Sequence, residues 1–222
     1  MTISPQEVQQ ILSEQPYEKF IPFEECTHPL DKKPSYKEIE SHFGHIMMDL
    51  ELTGENKLQV LQIPKEERWE FYCEQVKDDA EIPSPIYLID CIKKKHNPRL
   101  LESLAAQFSK YRISYRQQFI DGGGIQLLFN YLRKFSEDPN SDENQESMPY
   151  VFTCLSNIAN SLKFGSSFFE NDINEIFSIL FDIMTKSPFN KNFMLILSII
   201  TGCFISPKDG PDFPIIIKTV KI

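Results

Sequence analysis

Residues 119–132, FIDGGGIQLLFNYL, decide the fold. Three consecutive glycines ahead of an apolar run serve either as a phosphate-cradling loop or as a tight corner between two helices. A phosphate loop needs a Lys followed by Ser or Thr, or a G-x-G-x-x-G spacing with a strand before it and a helix after it. Ile125 and Gln126 follow here instead. A helix corner needs only a residue that accepts positive φ, which glycine does without steric penalty. The corner reading is therefore adopted, and the flanking residues are read as helices.

Working outward, FFENDINEIFSIL begins at Phe168, 49 positions after Phe119, and has the same order of aromatic residue, polar turn and apolar helix. The interval holds the acidic stretch SEDPNSDENQES (136–147), which lacks an apolar period and reads as a solvated, mobile loop. Without that stretch the period is roughly 40 residues, near that of armadillo and HEAT repeats. Apolar residues recur at helical spacing almost throughout, with no sustained alternation, so the fold class is all-α.

A short helix is expected over Pro5–Glu14, and four helix breakers (Pro16, Pro22, Pro29 and Pro34) then exclude a long one. Ser35 caps a helix to about Leu50, with Ile39, Phe43, Ile46, Met47 and Leu50 on one stripe. A short helical turn follows Thr53, and Pro64 reads as the first-turn residue of PKEERWEFYCEQVKDD. Two helices joined at Asn97-Pro98 come next, and then ISYRQQFI, GIQLLFNYLRKF, a helix from Met148, and further starts after Gly165 and Asp172.

The chain has 222 residues, 41% of them hydrophobic, enough for one sizeable core or two small ones. A net charge of −9 argues against nucleic acid or anionic lipid as the main ligand, since both require phosphates to be neutralised. A protein partner is the default. Five dispersed cysteines without a C-x-x-C pair point to no disulfide framework and to a reducing, cytoplasmic setting. The N-terminus lacks the pattern of a secretory signal, and FMLILSIITGCFI (193–205) has the length of a core helix rather than a membrane span.

Chemistry-bearing clusters are few. Cys26, His28, His42 and His45 could reach one zinc ion, but surface histidines on an amphipathic helix account for the last two, and no metal is expected. No G-x-S-x-G, H-E-x-x-H or Cys-His signature occurs, so the chain is read as a non-enzyme without cofactor. Lys57, Lys65, Arg68, Lys110, Arg112 and Arg116 form locally basic surfaces on an acidic chain. Leu58, Leu61, Ile63 and Trp69 exceed what their short helices can bury among themselves. That makes Trp69 either an interface anchor or the residue that docks this segment on the armadillo core.

The stretch LTGENKLQVLQIPKEERWEFYC (52–73) is similar to the GTPase-binding segment of diaphanous-related formins, most of all the Daam branch. There a short helix precedes an L-P-x-E-K-K-W-x-x-Y-C run, here Ile63 to Cys73. LESLAAQFSKYRISYRQQFIDGGGIQLLFNYL (101–132) resembles the opening of the armadillo region that follows it, and CLSNIANSLKFG (154–165) resembles a later helix and turn. The resemblance covers about residues 40–209.

The resemblance implies an N-terminal extension over 1–34, a helical GTPase-binding segment over 35–96 and an armadillo superhelix over 97–222 that is cut short in FPIIIKTVKI, as in a piece of a longer protein. The implied partner is a GTP-loaded Rho-family GTPase, which itself carries GTP and magnesium; actin is reached only through regions absent from this chain, in the actin cytoskeleton. The implied contacts are Lys57, Leu58, Leu61, Ile63, Arg68 and Trp69, with Ala106, Lys110, Tyr111, Arg112 and Asn160. Ala106 and Lys110-Tyr111 stand where diaphanous formins have a valine and an asparagine pair, which implies a different switch contact or GTPase preference. A groove for an autoregulatory segment falls on Leu195, Ile196 and Ile199, the first two bulkier than the family's small residues. The other reading is an armadillo adaptor that binds a peptide without a GTPase.

Overall fold

The computed structural model describes residues 20, 33–52, 54–80, 82–109, 113–161, 173–186 and 192–204. Among them are ten α-helices and no β-strand, so the all-α expectation holds. The helices expected over Pro5–Glu14 and directly after Gly165 lie outside the described residues. The rest fall into two compact units, one within 1–100 and 110–122, the other within 101–109 and 123–222.

In the first unit, α1 (Tyr36–Asp49) starts at Ser35, whose backbone N–H donates to the Glu38 carboxylate at 2.8 Å. That returns one of the donors a helix start leaves open. Ile39, Phe43 and Ile46 are buried along the expected stripe. They face α3 (Arg68–Ala80), where Ile39, Ile46, Trp69 and Tyr72 form a core cluster bordered by Leu50, Phe71, Cys73 and Val76. The Trp69 and Tyr72 rings stack with centroids 5.3 Å apart.

Helix α3 begins at Arg68 rather than at Pro64. A turn closes between the Glu67 N–H and the Pro64 carbonyl at 2.9 Å, and the Phe71 N–H then donates to the Glu67 carbonyl at 3.0 Å. Glu66 and Glu67 place negative charge just ahead of the first turn, where the helix dipole favours it. Between α1 and α3 lies α2 (Gly54–Leu61), which has no buried residue.

Helix α4 (Pro85–Lys95) opens with the Ser84 hydroxyl accepting from the Tyr87 N–H at 3.2 Å, and it closes on Lys93, Lys94 and Lys95 before a left-handed His96. The basic run complements the carbonyl end of the helix. Helix α6 (Ile113–Asp121) packs on both α4 and α1. A Cβ on Gly122, at its end, would come within 3.2 Å of Ile86 Cγ1 and 3.3 Å of Ile89 Cδ1.

Helix α5 (Pro98–Phe108) runs across the division between the units. The second unit continues with α7 (Gly124–Glu137), entered through Gly123 at φ +77°. The triple glycine is thus the break between two helices, and only Gly123 uses positive φ there.

The acidic stretch 136–147 departs from the expected loop. α7 runs to Glu137 and α8 (Asp142–Ala159) begins six residues before Met148, leaving only 138–141 between them. Ser141 caps α8, its hydroxyl accepting from the Asn144 N–H at 3.3 Å, and Asp142 and Glu143 fall in the first turn. The acidic residues that looked like solvated chain are favourable helix-start charges. Pro149 is tolerated inside the helix.

Helices α9 (Ile173–Lys186) and α10 (Phe193–Phe204) complete the unit, with α7 packing on α8 and α9, and α8 on α10. The α8–α10 approach is close enough that a Cβ on Gly202 would meet the Ala159 carbonyl at 2.8 Å.

Candidate functional site

Leu58 and Leu61 on α2 are 60% and 46% exposed, and Lys57 beside them is also exposed. Ile63 is half-buried in the connection to α3. Met48, near the end of α1, is 65% exposed. The first unit therefore leaves large apolar side chains in water on a helix that contributes nothing to its core.

The two motif residues that follow face inward. Trp69 is buried, stacked on Tyr72 in the α1–α3 cluster. It thus packs inside the core of its own segment, which is neither of the two roles expected for it, interface anchor or dock on the armadillo core. Arg68 is mostly covered: its guanidinium donates to the Ile63 carbonyl at 3.2 Å and the Leu61 carbonyl at 3.4 Å, pairs with Glu40, and lies with Cζ 4.6 Å from the Phe43 ring centroid.

The basic surface is smaller than expected. Arg116 is 2% exposed and forms an ion pair with Glu51, itself nearly inaccessible, so it adds no positive field outside. A buried charge persists only where a partner offsets its lost hydration. Beside it the Asp49 carboxylate accepts from the Ser114 N–H at 2.6 Å and the Ser114 hydroxyl at 2.7 Å, placing a negative charge at the start of α6. Sequence reasoning missed this network. One signal was present: Asp49 falls three residues after Ile46, in register with the apolar stripe, where an unpartnered carboxylate would be costly.

Of the remaining expected contacts, Lys110, Tyr111 and Arg112 lie outside the described residues. Ala106 and Asn160 belong to the second unit, and both are exposed. Asn160 Nδ2 donates to the Ser156 carbonyl at 2.8 Å and to the Ser198 hydroxyl at 3.1 Å, stitching α8 to α10. On α10, Ile196 and Ile199 are fully buried and Leu195 is half-buried, so Ile196 and Ile199 offer no surface to an autoregulatory segment. Phe193, Met194 and Leu197 are the exposed members of that helix.

Among the described residues no three His, Cys, Asp or Glu side chains converge as a metal site; Cys26 and His28 are not among them. The His42 and His45 rings meet edge-on, 6.5 Å apart. Cys73, Cys91, Cys154 and Cys203 are thiols outside any disulfide. Burial drives the Cys154 thiol far above its ordinary range and Cys203 up to about 12. No described helix is long and apolar enough to cross a membrane.

A family model, Diaphanous GTPase-binding Domain, matches residues 31–201. The chain is 22% identical over 149 residues to Disheveled-associated activator of morphogenesis 2 of Gallus gallus, covering 58% of this chain and 14% of that protein. It is 20% identical over 143 residues to Disheveled-associated activator of morphogenesis 1 of Homo sapiens, covering 56% of this chain and 13% of the relative. With Formin-D of Dictyostelium discoideum it shares 22% identity over 177 residues, 78% of this chain and 14% of the relative. The chain thus spans about a seventh of these proteins. No solved structure matches.

Proposed function

Because this chain belongs to the Diaphanous GTPase-binding domain family, we propose that it binds a GTP-loaded Rho-family GTPase and through that binding controls actin filament nucleation and elongation by the rest of a formin. The observation that carries the reading is α2, whose exposed Leu58 and Leu61 find no place in the protein's own core. Apolar side chains presented on a helix, with Lys57 alongside, suit the apolar and acidic surface of a protein partner. Ala106, Lys110, Tyr111, Arg112 and Asn160 complete the proposed contact set.

The module itself performs no chemistry, and GTP and magnesium reside on the partner. It responds to nucleotide only to the extent that it binds the GTP form more tightly than the GDP form. Such a module acts in the cytoplasm, at the actin cytoskeleton. An intramolecular autoregulatory segment lying along α10 would meet Phe193, Met194 and Leu197, with Leu195 at its edge. That same exposed row favours the second reading, a peptide-binding armadillo adaptor.

The test is binding of the purified chain to a panel of Rho-family GTPases, each loaded with GDP or a non-hydrolysable GTP analogue. Binding confined to the analogue-loaded form of one or a few is expected. Absence of binding in either state sinks the reading in favour of the adaptor.

A further inference from the structure

A helix of eight residues is marginal on its own in water, and α2 buries none of its side chains. Its position is therefore set from its two ends. On the leading side Glu51 carries the chain through a left-handed conformation, φ +47°, while its carboxylate pairs with Arg116 of α6. Asp49, two residues earlier, is anchored through both oxygens to Ser114.

On the trailing side Arg68, the first residue of α3, reaches back to the Leu61 and Ile63 carbonyls and holds Glu40 of α1 at the same time. The final carbonyls of a helix lack intrahelical donors and carry partial negative charge, so the guanidinium donating to the Leu61 carbonyl acts as a C-terminal cap, while its bond to Ile63 holds the connection just beyond the helix. The stacking of Arg68 over Phe43 fixes the guanidinium plane to the α1 core. A single side chain thus ties the end of α2 to both helices of the first unit that flank it.

Resting on the reading of α2 as the docking surface, we infer that Arg68 is a positioning residue for it. Arg68 keeps α2 helical and aimed before the partner arrives, so its share of the affinity comes from preorganisation rather than from contact. Glu51 and Arg116 fix the opposite end.

Amide hydrogen exchange of the whole chain, with no partner present, tests this directly. In Arg68→Gln, protection over 54–63 is expected to fall about tenfold or more, while α4 exchanges as before and melting stays cooperative. Unchanged exchange over 54–63 overturns the inference. Should the Gln variant lose cooperative melting, Arg68→Lys takes its place: it retains charge against Glu40 but not the fork that reaches two carbonyls and a carboxylate together. Exchange over 54–63 in the Lys variant equal to that of the parent overturns the inference as well. A separate arm isolates the underlying reading. If Leu58→Asp binds the GTPase as tightly as the parent, the docking surface is wrong, and the exchange comparison still decides the role of Arg68.

Discussion

Arg68 and Trp69 are adjacent in the motif, yet they stabilise different things. Trp69 stacks inside the α1–α3 cluster, so Trp69→Ala removes the largest side chain of that core. The expected cost is about 3–5 kcal/mol, measured by urea unfolding. Any accompanying loss of GTPase binding should be matched by the loss of folded protein. Leu58 is the contrasting case, since Leu58→Asp changes an exposed position and should leave the melting temperature within a degree or two of the parent while weakening the proposed GTPase complex about tenfold or more. Cys154 and Cys203 provide a third residue-level expectation. Their thiols stay protonated when folded, because burial disfavours the thiolate. The stability they contribute is complete below the unfolded value of 9.0 and declines as pH rises from there toward 12. A thiol reagent at neutral pH should label Cys73 and Cys91, both half-buried, well before this pair, which should react only on unfolding.

Among the elements, the helices with a strong local signal were legible before any coordinates. Ser35 announces α1, the stripe through Ile39, Phe43 and Ile46 names the buried face, and the three glycines mark the break before α7. The start of α8 was not legible, because its first two turns carry polar residues that show no apolar period until Met148. There the helix depends on a cap and on charge rather than on burial. Ser141→Ala should therefore destabilise the second unit by about 1 kcal/mol and raise amide exchange in the first turns of α8. A true loop over 136–147 would show neither effect. The candidate site was legible in the same uneven way. Motif spacing located Leu58, Leu61, Arg68 and Trp69, but spacing along the chain does not say which side chains point inward. The Arg116–Glu51 pair joins positions 65 apart, beyond the reach of any local pattern.

At the scale of the whole molecule, the two units divide the proposed contacts, with Lys57, Leu58, Leu61 and Ile63 in the first and Ala106 and Asn160 in the second. The GTPase panel tests the set as a whole: an analogue-dependent complex with one or a few Rho-family members is expected, and the same complex should weaken when Leu58 is changed. Family membership rests on residues 31–201 and so takes in both units. Partner preference is a finer property than membership, and the absence of core residues from α2 bears on it. Mutations in a core are filtered by folding before any partner can select among them. Substitutions on the outer positions of α2 escape that filter. The helix can therefore drift, or be exchanged for the corresponding segment of another family member, at little cost to the remaining framework. Grafting eight foreign residues between Thr53 and Gln62 should redirect the module to a new GTPase while its melting curve stays where it was.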